Sequence, residues 1–203
     1  MNFLEFNKAF KPFSVFSVMD IHKKYPGFDH RRLVEWQQKG YLLKIRRGYY
    51  CFTERISGEH FLYFTANKIY SPSYISFESA LAYYNLIPEG VFITTSATTR
   101  NTAKYASGIG NFDYKHLKPA LFFGYKLLKE KDLTIKIAEP EKVILDYLYM
   151  NPLNSFEEIE AMRFNEIMVK ELINFNKLHQ YLRIVNSKVL EKRIRMFIKI
   201  INA

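Results

Sequence analysis

The stretch that most constrains this chain runs from Ser17 to Phe52, SVMDIHKKYPGFDHRRLVEWQQKGYLLKIRRGYYCF. Ser17-Val-Met-Asp20 has capping-box spacing: the hydroxyl accepts from a free backbone N–H, and the acid suits the positive helix start. Val18, Ile21 and Tyr25 give that helix an apolar face, and Pro26-Gly27 stops it. Asp29 is placed to cap a second helix carrying Leu33, Val34 and Trp36, and Gly40 stands where a left-handed C-terminal cap is expected. Tyr41–Ile45 and Tyr49–Phe52 are short β-prone runs around Arg46-Arg47-Gly48, a hairpin signal. Helix, turn, helix and a basic-tipped hairpin form the winged-helix arrangement, in which the second helix enters a major groove and the wing follows the phosphates.

The first turn of the second helix is basic, although helix starts favour acids, which suggests an anionic target. His30, Arg31 and Arg32 are candidates for the major groove, where Arg pairs well with guanine, and Gln38 for adenine. Lys44, Arg46 and Arg47 are candidates for phosphate or minor-groove contact. Trp36 is expected in the core. The competing reading is a small α+β domain whose arginines are only a solvated face.

The net charge supports the first reading. The chain carries +10 over 203 residues, a balance that favours a polyanionic partner without specifying fold. Residues 1–52 hold ten basic residues against four acids, so more than half the excess falls on the candidate DNA-binding unit. The single cysteine, Cys51, rules out an internal disulfide framework and a Cys-based zinc site. That fits a reducing compartment, and the cytoplasm is expected. The N-terminal segment lacks a signal-peptide pattern, and no run approaches the ~18 apolar residues of a membrane span.

The remaining sequence predicts an α+β protein. A leading helix over 2–11 groups Phe3, Phe6 and Phe10. A polar stretch near Thr53–Glu59 marks the boundary, giving a winged-helix unit over 1–56 and a mixed α/β unit over 57–203. A helix is expected over 59–69 and a second, capped by Ser76, before Pro88. Val91–Thr95, Phe112–Leu117, Ala120–Tyr125 and Leu133–Ile137 are expected strands of a small antiparallel sheet, with 96–110 as turns. Pro140 opens a helix with Val143, Ile144, Tyr147 and Leu148 buried. From Ser155 the chain is helical. The last helix, about Ser187–Ile201, buries Leu190, Ile194, Phe197 and Ile201 and leaves Lys188, Lys192, Arg193, Arg195 and Lys199 elsewhere.

Three stretches together resemble a known family. They are Gly40-Tyr-Leu-Leu-Lys-Ile-Arg-Arg-Gly48-Tyr49-Tyr50, Tyr74-Ile75-Ser76 through Ser79-Ala80-Leu81 to Leu86-Ile87-Pro88, and Ile137-Ala138-Glu139-Pro140-Glu141-Lys142 with Leu145-Asp146. In this order the chain resembles the AbiEi-type antitoxins and transcriptional regulators of bacterial abortive-infection systems, over roughly residues 15–150. The resemblance implies an N-terminal winged helix that binds operator DNA and represses its own operon. It also implies a C-terminal α+β antitoxin domain that counters a nucleotidyltransferase-like toxin, often without a stable complex. The helices after Ser155 lie beyond the matched stretches.

Sites of chemistry are few. Lys142 and Asp146 stand four apart on a helix and are expected to form a surface pair, worth about 0.3–0.5 kcal/mol, with a bond from Asp146 to a neighbouring turn as the alternative. Asp113-Tyr-Lys115 matches the D-x-K half of a Mg-dependent nuclease site, with Glu78 the tempting second acid, but such a triplet arises easily by chance. The five histidines lack paired metal spacing. Ser107-Gly108-Ile109-Gly110 lacks the Gly-Lys context of a phosphate loop. The expectation is therefore a non-enzymatic autorepressor and antitoxin with no cofactor. A stand-alone regulator is the alternative, and a nuclease using Asp113 and Lys115 the more distant one.

Overall fold

The computed structural model describes residues 1–202. Helix α1, Phe3–Phe10, is closed by a capping box between Asn2 and Glu5 and buries Phe6 and Phe10. A two-residue strand β1, Phe16–Ser17, leads into α2, Val18–Lys24. The expected capping box opens α2: Ser17 Oγ accepts the Asp20 N–H at 3.1 Å, and Asp20 Oδ2 accepts the Ser17 N–H at 2.8 Å. Helix α3 spans Arg31–Gln38. His30, not the expected Asp29, stands at the N-cap of α3 and makes no side-chain cap bond; Asp29, one residue earlier, accepts the Arg31 N–H on Oδ1 at 3.0 Å. Gly40 closes the turn after α3 in the left-handed region, at φ +71°. Within α3, Leu33 and Trp36 are buried but Val34 is 56% exposed, so Val34 belongs to the outward face.

Strands β2, Leu42–Arg46, and β3, Tyr49–Phe52, pair antiparallel with a register shift between Lys44 and Arg46. Strand β1 adds on the other side of β3, Phe16 opposite Tyr50. The order is β1-β3-β2.

The second unit begins with α4, Gly58–Ile69, followed by strand β4, Ser73–Ile75, and helix α5, Phe77–Tyr83. Strands β5 (Ile93–Thr98), β6 (Ala103–Ser107), β7 (Gly110–His116), β8 (Tyr125–Glu130) and β9 (Leu133–Ala138) complete a sheet of order β6-β7-β5-β4-β9-β8. Helix α4 packs across β4, β5 and β9, and α5 packs on β5 and on α6, Pro140–Met150. Four helices follow: α7 (Phe156–Glu160), α8 (Glu166–Leu172), α9 (Phe175–Val185) and α10 (Lys188–Ile201). No described helix is long and apolar enough to cross a membrane.

The sheet corrects the expected small antiparallel one. It has six strands and is mixed, with β5–β7 and β4–β9 parallel. Alternation reveals a strand but not its neighbour or direction. Strand β6 lies where turns were expected, because Ser, Thr, Asn and Gly dominate 96–110. Strand β5 continues through buried Thr94, Thr95, Ser96 and Thr98. Thr95 and Thr98 donate to the Ser76 and Pro72 carbonyls, both at 2.7 Å, which offsets the cost of burying those hydroxyls. Ala120–Tyr125 is not a strand: Pro119–Leu121 forms a 3₁₀ turn, Gly124 adopts φ +69°, and β8 starts at Tyr125.

Two apolar clusters divide the chain. Phe6, Phe10, Phe16, Leu33, Trp36, Leu42, Tyr50 and Phe52 form one. The larger lies around the six-stranded sheet and also takes Val15, Ile45 and Cys51. Period-two alternation in the hairpin explains this: Tyr50 and Phe52 face one core, and Cys51 between them faces the other. The hairpin is thus the shared wall of the two units. Helix α10 buries Leu190, Ile194, Phe197 and Ile201 as its spacing predicts. Arg193 is a correction: it turns inward, donating from Nη1 to the Leu148 carbonyl at 2.8 Å and from Nη2 to Asn154 Oδ1 at 3.0 Å.

Candidate nucleic-acid interface

Helix α3 and the hairpin present most of the proposed contacts. Arg31 is the most outward, its side chain 91% exposed. It forks onto Asp29, with Nε 3.0 Å from each carboxylate oxygen and Nη2 2.8 Å from Oδ2. These bonds pull the Asp29 carboxyl down from 3.8 to about 2. Arg32 and Lys39 both reach Glu35, at 3.0 and 2.7 Å. The Lys39 bond, then the Arg32 bond, hold the Glu35 carboxyl below its usual value, and Glu35 in turn raises the Lys39 ammonium. Three cations thus share two acids along one exposed face. Each fork fixes its cation's direction while leaving its remaining N–H groups free for an anion.

Sequence reasoning missed the outward Val34 and left Lys39, exposed on the same helix, out of the candidate contacts. Both follow from α3's rotation, which burial of Leu33 and Trp36 sets. Gln38 is exposed on the same helix. His30 is exposed but engaged sideways: its Nε2 lies 2.7 Å from Nε2 of His22 on α2. This contact ties the ends of the two helices together.

On the hairpin, Lys44 and Arg47 are exposed, and Arg46 is not the wing-tip contact expected. Its Nη1 donates to the Ile69 carbonyl at 2.9 Å, and its guanidinium carbon sits 4.4 Å from the Tyr105 ring centroid. Arg46 is the last residue of β2 and its side chain runs back to the six-stranded sheet, whereas Arg47 stands in the turn and is exposed.

Two further clusters belong to the second unit. Glu78, Asp113 and Lys115 do meet, along one cleft. Lys115 Nζ stands 3.1 and 3.3 Å from the Glu78 oxygens and 4.8 Å from the Phe77 ring centroid. Asp113 Oδ2 is 3.6 Å from Lys104. Among the described residues no three His, Cys, Asp or Glu side chains converge as a metal centre.

Lys142 and Asp146 are not the expected surface pair. Their side chains are 0% and 1% exposed and are ion-paired to each other. Tyr74 and Ser76 donate to Asp146 Oδ2 at 2.8 and 2.9 Å, and Lys142 donates to the Tyr74 hydroxyl oxygen at 3.0 Å. Burial pushes the Lys142 ammonium down and the Asp146 carboxyl up, each opposed by its partner's charge. Ser76, expected as a helix cap, instead spends its hydroxyl on Asp146, and α5 starts without a side-chain cap. This buried network links β4, the start of α5 and α6. Compared with known proteins, the chain matches no family model and no curated protein.

Proposed function

We propose that residues 1–56 form a winged-helix DNA-binding unit and that the protein is a cytoplasmic autorepressor and antitoxin of a bacterial toxin–antitoxin system. One observation carries the DNA-binding half. Helix α3 and the hairpin stand on one aromatic core, with Arg31, Arg32, Lys39, Lys44 and Arg47 all exposed. The order helix, strand, helix, helix, hairpin suits a groove-reading helix flanked by a phosphate-following wing. In this reading α3 reads bases, Lys44 and Arg47 hold phosphates, Arg46 positions the wing, and bound repressor occludes the promoter. No catalysis is involved. The antitoxin half rests on the family resemblance alone: the six-stranded unit would counter a nucleotidyltransferase-like toxin.

Fluorescence anisotropy on the protein's own upstream DNA and a scrambled duplex, at two salt concentrations, tests this reading. Upstream DNA should bind tighter. Arg31→Ala/Arg32→Ala should reduce that preference. Lys44→Ala/Arg47→Ala should weaken both duplexes and flatten the salt slope by about two, one per lost phosphate contact. Equal, weak binding to both duplexes by the wild type would end the operator reading. Co-expression with a nucleotidyltransferase-like toxin, scored by growth, tests the antitoxin half separately.

A further inference from the structure

The second unit opens a cleft of about 450 Å³ beside α5, β5 and β7, within the roughly 300–1,000 Å³ of small-ligand sites. Ile87, Val91, Ile93 and Met162 give it apolar walls. Phe92 stands at the rim, 92% exposed, an orientation that burial energetics alone would not select.

The polar groups are unbalanced. Glu78, Glu89 and Asp113 face one cation, Lys115, and Glu78 engages it. This acid excess occurs in a protein of net charge +10. Asp113 is the most enclosed of the three acids. Its nearest cation, Lys104, is 3.6 Å away on a side chain 79% exposed, and such a pair contributes little. Its Oδ1 is shielded from solvent and accepts no hydrogen bond among the described residues, which leaves Oδ2 as the oxygen a ligand can reach. A carboxylate held against apolar walls gains most from a donor that arrives with positive charge.

We infer that this cleft binds an aliphatic cation, a guanidinium or primary ammonium on an apolar stem. The Asp113 carboxylate takes the charged head, Ile87, Val91 and Met162 take the stem, and the Phe92 ring offers a face to the cation. Phosphate-bearing ligands are disfavoured by the same acid excess. The head group is the same whether it comes on a free small molecule or as an arginine side chain of a polypeptide.

Isothermal titration of the full chain with agmatine, and separately with N-acetyl-arginine N-methylamide, tests this. One-to-one binding of agmatine alone assigns the site to a free amine; binding of both assigns it to the shared head group. Asp113→Asn should weaken binding at least about tenfold, as loss of a charge-assisted hydrogen bond predicts. Phe92→Ser, at an exposed position that leaves the sheet intact, should weaken it several-fold and keeps the test open should Asp113→Asn fold poorly. The inference is overturned by no binding of either compound, or by wild-type affinity in both variants. It is equally overturned if Mg²⁺ titrates the wild-type site, not Asp113→Asn, while both amines stay silent.

Discussion

The guanidinium carbon of Arg46 lies 4.4 Å from the ring centroid of Tyr105, so a residue of the hairpin rests on edge strand β6 of the other unit's sheet. Tyr49 and Tyr70 stand 5.5 and 5.8 Å from the same cation, and the Ile69 carbonyl accepts from it at 2.9 Å. One arginine of the Arg-Arg pair therefore fixes how the hairpin sits, and the other faces solvent.

This division predicts different costs for the two neighbours. Arg46→Ala should lower stability by about 1–3 kcal/mol, the sum expected for a desolvated cation–π contact and a charge-assisted hydrogen bond. Arg47→Ala should stay within about 0.5 kcal/mol. Urea unfolding of both variants measures this; equal losses would remove Arg46 from the hairpin–sheet contact.

The buried Lys142–Asp146 pair makes a sharper prediction. Lys142→Met leaves Asp146 without its counter-charge and should cost about 3–5 kcal/mol. Lys142→Met/Asp146→Leu removes both charges and should recover much of that loss, since the pair's attraction is largely offset by desolvation. Tyr74 and Ser76 lose an acceptor in the double variant, so recovery should be incomplete. A double variant less stable than the single one would contradict this account.

Cys51 is buried between the two cores, and burial pushes its thiol up to about 12. The native protein should leave a thiol reagent such as DTNB unreacted at pH 8, and denaturant should release one equivalent. Rapid native reaction would mean that the hairpin separates from the sheet.

Asp29 supplies a pH prediction. Its folded pKa is depressed from 3.8 to about 2 by the Arg31 side-chain bond first and the backbone bond second. Its stabilising contribution is therefore present above about 3.8 and lost as pH falls towards 2. NMR titration of the carboxyl should show a midpoint near 2 in the wild type and a return towards 3.8 in Arg31→Ala. An unchanged midpoint would show that the fork is absent in solution.

Much of this architecture is legible in local spacing. The Ser17–Asp20 capping box, Pro140 at a helix start, and the Leu190–Ile201 stripe appear where sequence places them. Each rests on interactions within three or four residues, or on one helical period. What failed depended on partners far away in sequence. Strand β4 is three residues long and exists because β5 and β9 flank it. Arg46 and Arg193 look like surface cations until their acceptors, Ile69 and Leu148, are brought beside them.

The candidate sites divide in the same way. The exposed cations of α3 could be read from the chain, because Leu33 and Trp36 fix which face of that helix turns inward. The fate of Lys142 and Asp146 could not. A four-residue spacing is identical on a solvated helix and a buried one, and only the packing of β4, β9 and α9 around α6 makes the pair a core element. The sequence by itself determined the N-terminal helices and hairpin, the Ser17–Asp20 cap and the basic bias of residues 1–52, because helix period, turn chemistry and charge are local properties. Tertiary structure alone decided the mixed strand order, the inward turn of Arg46 and the meeting of Glu78 with Lys115 across 37 positions. Such contacts form only once the chain has closed its long loops around a shared core.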